Sequence, residues 1–307
     1  MDMTTTSQPR MSELLSQLAT IATVKATSIG LMRKDKRASI EADKAHLAMI
    51  GAGVNNVNRL AGAEARVKEI RSVQAQGRDV LMRFTTQWGD RRLLPNVNIN
   101  QFYAEWGVVK AEFDRLCVRI AADAPILIRQ AEQNLGTYAI EPPTEDELKN
   151  GFSLEFTMEQ VPDSSQFKAS GLDASMEQLL KDRFEANIES AYQQAQSDAL
   201  ARLARPLETL IERMGAYNKR EDEKAKGISV GKDGFFRDTI ITNITEIAQV
   251  FGSFNLTNDP GLKRIEDALG AFEGIEADDL RNSKDLRDDT AKRAEEILAA
   301  LGIERTQ

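Results

Sequence analysis

One stretch of the chain, residues 172–217, repeats apolar side chains every three or four residues. They are Leu172, Met176, Leu179, Leu180, Phe184, Ile188, Ala191, Ala195, Ala199, Leu203, Leu207, Leu210, Ile211, Met214 and Tyr217. This spacing is close to the α-helical period and far from the strand period of two. A continuous helix of this length would extend roughly 65–70 Å, so we expect another long element to pack against it. Pro206 removes one backbone donor and predicts a kink.

A second helical pattern covers residues 99–135, and Pro125 inside it predicts either a kink or a division into two helices. Between the two patterns, residues 152–161 alternate apolar and polar side chains, which is typical of a strand. The predicted strand at residues 23–32 is its expected neighbour. We therefore predict a mainly α protein: an elongated antiparallel hairpin of two long helices, coiled-coil-like, with a small β element and flanking helices.

The chain divides into four predicted regions. They are a disordered tail at residues 1–10, a basic helical region with one strand at 11–98, the long helical hairpin at 99–226 with its inserted β segment at 136–171, and an acidic helical region at 227–307. Within them we predict helices over 12–22, 38–50, 59–84, 235–254 and 278–301, a helix from Pro260, and a loop over 85–98.

Composition narrows the class of protein. Aromatic residues make up 6% of the chain and there are eight prolines, which favours helices over an all-β fold. The single cysteine, Cys117, excludes an intramolecular disulfide framework and is typical of a reducing compartment. No stretch approaches the ~18 uninterrupted apolar residues of a membrane span, and residues 1–10 lack the apolar core of a signal peptide. We expect a cytoplasmic protein without a membrane partner.

Charge is distributed unevenly along the chain. Residues 1–94 carry a net charge of +6 and the remainder carries −14. The basic third can pack on the acidic remainder, or it can contact phosphate groups or an acidic partner. The candidate contact residues are Arg33, Lys34, Lys36, Arg37, Arg91 and Arg92.

Few residues in this sequence are candidates for catalysis. The one histidine, His46, and Cys117 lie in separate predicted helices, with no local sign of a nucleophile–base pair or of a zinc ligand set. The glycines at 51 and 53 lack the third glycine of a dinucleotide-binding loop, and Gly231-Lys232 lacks phosphate-loop spacing. The many carboxylates after residue 278 alternate with Arg and Lys, as on a solvated helix face. We predict no catalytic residue, metal site or cofactor.

Three segments in this order resemble a known family. They are Ala26–Arg37, a strand ending in a basic run; Val80–Pro95, leading into a helix with Glu112-Phe-Asp114; and Phe152–Asp163, before a very long helix with Arg205-Pro206. This arrangement is similar to an uncharacterised family of bacterial and phage proteins, although Gly30 and Leu31 stand where that family usually has an aromatic residue. Genes of that family neighbour a MoxR-type AAA+ ATPase and a protein with a von Willebrand factor A domain. The resemblance implies a protein partner rather than a reaction.

These observations predict a non-enzymatic adaptor in a bacterial or phage-infected cell, working with the AAA+ ATPase or the von Willebrand factor A-domain protein. One alternative is a phage-type DNA-associated or assembly protein that uses the basic third. The other is a carboxylate-based, metal-dependent enzyme. Self-association stays open.

Overall fold

A computed structural model describes residues 10–166, 168, 171, 173–228 and 238–302. Four predictions fall wholly or partly outside these residues: the tail at 1–9, the start of the long helix at Leu172, the Gly231-Lys232 segment and the start of the helix at Phe235.

The described chain is mainly helical, as predicted. Its helices are α1 (Met11–Leu18), α2 (Lys36–Ala45), α3 (Ala65–Phe84), α4 (Ile99–Leu135), α5 (Glu145–Asn150), α6 (Ala174–Ala225), α7 (Thr239–Phe251), α8 (Pro260–Leu269), α9 (Ala277–Asn282) and α10 (Lys284–Ala300). Its strands are β1 (Ala19–Thr27), β2 (Met32–Lys34), β3 (Asn56–Asn58), β4 (Thr86–Trp88), β5 (Arg91–Pro95) and β6 (Ser153–Gln160).

Four strands form one sheet in the order β4-β5-β1-β6. The predicted strand at 152–161 is confirmed as β6, and its neighbour is β1, as expected. The prediction that 85–98 is a loop is wrong, because β4 and β5 form a hairpin with Trp88 opposite Arg91. Only Gly89 and Asp90 join these strands, and the positive φ of Gly89 suits a two-residue hairpin turn.

The boundary between the first helix and the first strand lies four residues earlier in the chain than predicted. Helix α1 ends at Leu18 instead of Ala22, because Ala19 already pairs with Pro95 in an antiparallel β1–β5 ladder. At the other end of the chain, the single helix predicted over 278–301 is two helices. Ser283 separates them, and its hydroxyl accepts a hydrogen bond from the backbone N–H of Leu286 at 3.2 Å to begin α10.

The chain forms two compact units. Unit 1 comprises Met1–Ala22, Arg83–Ile99 and Met158–Gln307, and unit 2 comprises Thr23–Met82 and Asn100–Thr157. Helix α6 belongs to unit 1, whereas α4 after its first residue belongs to unit 2. The antiparallel pairing of these two helices therefore stays a prediction.

Both long helices continue through their prolines. Helix α6 runs for 52 residues with Pro206 inside it, and α4 runs for 37 residues with Pro125 inside it. The alternative that Pro125 divides its helix is wrong, and the two kinks stay predictions. Proline costs an internal helix one hydrogen bond, and the turns around Pro206 are held by the buried side chains of Leu203, Leu207 and Leu210.

Unit 1 has its core around α6. One apolar cluster joins α1, β1, β4, β5 and the first half of α6, through Leu15, Ala19, Ile21, Trp88, Leu93, Val161, Ile188, Tyr192 and Ala195. Farther along, the buried Arg287 of α10 lies over the ring of Tyr217 at 4.7 Å. Its guanidinium also donates to Asn218 Oδ1 and to the carbonyl oxygen of Leu280, both at 2.6 Å. This arginine ties α9 and α10 to α6.

Unit 2 has its core on one face of α4. The buried α4 residues recur every three or four positions from Phe102 to Leu135, and Phe156 of β6 meets Phe102 and Trp106 edge-on. The buried Arg59 makes a two-pronged ion pair with Glu147 at 2.7 and 2.8 Å. This pair fastens α5 to the segment that precedes α3.

Candidate interaction surface

Residues 32–58 of unit 2 form a small module, which we call the tip module. Strand β2 pairs antiparallel with β3, so that Arg33 lies opposite Val57, and α2 connects them. Asp35 caps α2 by accepting a hydrogen bond from the backbone N–H of Ala38 at 3.0 Å. It also accepts one from the backbone N–H of Ala139 at 2.9 Å. The hydrogen bond from Ala38 is the main cause that lowers the pKa of Asp35, so this buried carboxylate is ionised. Its oxygens already accept hydrogen bonds from the protein's own backbone.

The loop after α2 is organised by a second buried carboxylate. Helix α2 ends at Ala45, five residues earlier than predicted. Asp43 then accepts hydrogen bonds from the backbone N–H groups of Gly51 at 2.7 Å and Gly53 at 2.9 Å. A phosphate-binding loop would need such amide groups free for its ligand. Here the protein's own carboxylate occupies them.

The tip module exposes several large apolar side chains, most of them in the loop after α2. Leu47 is 96% exposed and has a φ of 52°, a backbone conformation that costs a leucine free energy. Of the 17 large apolar side chains that are exposed in the described chain, six lie in residues 32–54 of the tip module. They are Met32, Ile40, Leu47, Met49, Ile50 and Val54. Such a concentration is unusual for a surface that stays in water.

The tip module also exposes cations. Arg33, Lys34, Lys36 and Lys44 are exposed, and no described carboxylate lies within ion-pair distance of them. Arg37, the remaining predicted contact residue of the module, pairs with Glu41 on the next turn of α2 at 3.1 Å. Since the other two acids of the module are the buried Asp35 and Asp43, its surface charge is positive.

We define the tip patch as Met32, Arg33, Lys34, Lys36, Lys44, Leu47, Met49, Ile50 and Val54. Three of the predicted contact residues, Arg33, Lys34 and Lys36, belong to it, and Arg37 follows Lys36 directly in α2. The sequence pattern does not indicate the exposed apolar residues, because Leu47 and Ile50 continue the helical spacing of α2 and fall within the helix predicted over 38–50. The glycines at 51 and 53 were the available signal that the helix ends earlier.

The other two predicted contact residues lie in unit 1 and are engaged there. Arg92 donates from Nε to Thr85 Oγ1 and from a terminal nitrogen to the Thr85 carbonyl oxygen, both at 3.0 Å. Asp198 lies 3.4 Å away, and burial lowers the pKa of this arginine. Arg91 pairs with Glu159 at 2.5 Å. We therefore leave both arginines out of the tip patch.

The remaining candidates carry little chemistry. His46 is exposed at the end of α2, and partial burial raises the pKa of the Cys117 thiol. Within the described ranges, no three or more His, Cys, Asp or Glu side chains are grouped to hold a metal ion. Several C-terminal acids lie beside cations, such as Asp289 with Arg293 at 2.7 Å. None of the described helices is long and apolar enough to cross a membrane.

Comparison with known proteins finds no matching family model, no matching curated protein and no matching solved structure. The resemblance to the bacterial and phage family therefore depends only on the sequence segments quoted for it.

Proposed function

We propose that this protein is a non-enzymatic interaction protein that binds an acidic, amphipathic segment of a partner protein through the tip patch. One observation carries the proposal. One small module exposes both apolar side chains and unneutralised cations, and the acids of the module are buried or paired. A partner segment with apolar residues flanked by carboxylates would bury the exposed apolar side chains of the patch and neutralise its cations.

The resemblance supports a more specific form of the proposal. The protein is an adaptor in the bacterial cytoplasm, and its partner is a MoxR-type AAA+ ATPase or a von Willebrand factor A-domain protein. Within the described residues no three or more His, Cys, Asp or Glu side chains are grouped to hold a metal ion, and the proposal includes no reaction.

Nucleic acid is the competing ligand class, since exposed cations also attract phosphate. Two features favour protein. The tip patch combines its cations with Leu, Met, Ile and Val, whereas single-stranded nucleic acid is held by stacking on aromatic side chains. Duplex DNA is bound through phosphate contacts, to which the exposed Leu47 and Ile50 would add nothing.

The test measures affinity for defined probes. The full-length protein is titrated with the MoxR-type ATPase of its own genome, with and without nucleotide, with an acidic amphipathic peptide, and with duplex DNA. Lys34→Glu with Lys36→Glu, and separately Leu47→Ser with Ile50→Ser, should each weaken protein binding by about tenfold or more. Control variants are Arg78→Glu and Val97→Ser, which change an exposed cation and an exposed valine outside the patch.

Two results would overturn the proposal. One is the absence of binding to both the ATPase and the acidic peptide. The other is salt-sensitive DNA binding that the charge reversals abolish and the serine variants leave unchanged. That second result would identify a DNA-associated protein.

A further inference from the structure

Helix α4 carries a second apolar stripe on the face opposite its core. A surface helix normally presents charged and polar residues there. On α4 this face instead presents Ala104, Gly107, Val108, Ala111, Val118, Ala122, Pro125 and Ile126, all of them exposed. The stripe extends over 22 residues from Ala104 to Pro125, roughly 33 Å of helix. Arg115 is the only charged residue on its midline.

The spacing of this stripe matches a coiled-coil seam. Residues 104, 108, 111, 115, 118, 122 and 125 follow alternating steps of four and three, as the two inward positions of a heptad do. The small side chains allow close approach of a second helix. Arg115 is turned towards the flank, where its guanidinium pairs with Glu112 at 2.6 and 2.7 Å, so its aliphatic stem covers the seam.

Charge along the flank points to a second copy of the same helix. Glu112 and Arg119 occupy equivalent flanking positions one heptad apart. No carboxylate in the described part of the chain lies within ion-pair distance of the exposed Arg119. In an antiparallel pair of identical helices these flanking positions face each other. Glu112 of each copy can then face Arg119 of the other.

The charges also select orientation and register. A parallel pair would set Arg115 against Arg115 in the middle of the seam. An antiparallel pair offset by one heptad would set Glu112 against Glu112. The antiparallel register that sets Ala111 against Ala122 places Arg115 opposite Val118 of the other copy, keeps the two Glu112 side chains apart, and forms the Glu112–Arg119 contact twice.

We infer that this chain forms a homodimer through an antiparallel pairing of α4 with α4 of a second copy, in the register that sets Ala111 opposite Ala122. The seam is short and rich in small residues, so the area it buries places the dimer among weak interfaces. This inference does not depend on the tip patch.

The first test is sedimentation velocity of the full-length protein between about 1 and 100 μM, a range suited to a weak interface. A dimer should form as concentration rises. Val118→Lys should weaken it by about tenfold or more, because in this register each new lysine lies opposite Arg115 of the other copy. Val118 is 72% exposed, so the variant should keep its fold. The control Val97→Lys changes a valine that is 77% exposed in unit 1.

The second test is a charge exchange. Arg119→Glu alone sets Glu112 against a carboxylate in both Glu112–Arg119 contacts, and should weaken the dimer by about tenfold, as repulsion replaces two exposed ion pairs. Glu112→Arg alone should act similarly. The double variant restores opposite charges and should recover most of the affinity.

Disulfide trapping tests the register. In a Cys117→Ser background, Ala111→Cys with Ala122→Cys should form a dimer linked at both ends under mild oxidation. Ala111→Cys alone should not, because its two copies would lie about 16 Å apart along the axis. A protein that stays monomeric at 100 μM, a dimer that Val118→Lys leaves intact, or trapping by the single cysteine variant would overturn the inference.

Discussion

The ion pair between Arg59 and Glu147 should be a main determinant of unit 2 stability. Arg59 is buried and donates to both carboxylate oxygens of Glu147. It also donates to the carbonyl oxygens of Glu141 at 3.1 Å and Pro142 at 3.2 Å. Glu147 additionally accepts from the backbone N–H of Thr144 and completes a capping box at the start of α5. Glu147→Gln preserves the shape and removes the charge.

The size of the loss follows from the pKa of the carboxyl group. Hydrogen bonds from the Arg59 side chain are the main cause that lowers the pKa of Glu147 from 4.5 to about 2. Undiscounted, this corresponds to about 3.4 kcal/mol favouring the ionised form. Because the Glu147 side chain is 34% exposed, solvent screening reduces this to about 1.5–2 kcal/mol. Leaving the Arg59 guanidinium without its counterion adds to the cost, so we expect a total loss of about 2–3 kcal/mol.

The assay uses the fluorescence of Trp106 to follow urea unfolding. The chain has two tryptophans, Trp88 in unit 1 and Trp106 in unit 2. In a Trp88→Phe background the signal therefore reports on unit 2. The matched control is Glu145→Gln on the same helix, where the carboxylate makes an exposed pair with Lys149 at 2.7 Å. We expect this control to change stability by less than about 0.5 kcal/mol.

A double-mutant cycle separates the ion pair from the other roles of its members. Arg59→Met with Glu147→Gln should cost less than the sum of the two single changes, by about 1–2 kcal/mol. If Glu147→Gln were as harmless as Glu145→Gln, or if the two losses simply added, the reasoning about this buried pair would be refuted.

The remaining predictions concern pH and two further sites. Because the folded-state pKa of Glu147 is lowered, its contribution is fully present above pH 4.5 and is lost as pH falls through about 2. The stability difference between the wild type and Glu147→Gln should shrink accordingly in urea titrations at stepped pH. Gly151→Ala would place Cβ 2.2 Å from Ile29 Cγ2, and should cost more than about 2 kcal/mol in the Trp106 assay. Arg287→Met removes the contacts with Tyr217 and Asn218, and should cost about 2 kcal/mol and speed amide exchange in α9.

Periodicity predicted the longest elements because tertiary packing agreed with it. The buried residues of α4, from Phe102 to Leu135, are the ones whose spacing indicated a helix. The alternation after Phe152 likewise predicted β6. In both cases one face of the element is buried over its whole length, which is the condition under which apolar spacing reports secondary structure.

Shorter elements were decided by contacts between distant residues. The segment from Ala19 to Ala22 looks helical by composition, but it pairs with residues 92–95 of β5, 70 or more positions later. The composition around strand β5 indicates a loop, because Pro95 and the Gly89-Asp90 turn dominate it. Those two turn residues, placed between Trp88 and Arg91, were the hairpin signal that could have been recognised.

The tip patch shows a similar limit at a candidate site. The basic residues at 33, 34, 36 and 37 were found by charge alone, which needs no fold. Its apolar half depends on the early end of α2, and that end depends on Asp43 binding amide groups eight and ten residues ahead of it. The hydrogen bonds from the Gly51 and Gly53 amides to Asp43 can replace helix continuation only if the chain between these residues folds back. The sequence contains the carboxylate and the glycines, but it does not show that they form these hydrogen bonds.

Helix α4 shows what spacing cannot decide even where the helix is predicted correctly. Its apolar residues form two stripes, one including Phe102 and Trp106 and the other including Val108 and Val118. Both repeat every three or four positions, so the pattern on its own marks neither as the core. The larger aromatic side chains favour the first stripe, and the structure buries it. The second stays exposed, with its small residues and its Glu112–Arg119 spacing intact. These properties suit a surface for another helix, and the burial of the first stripe is what leaves the second free for that role.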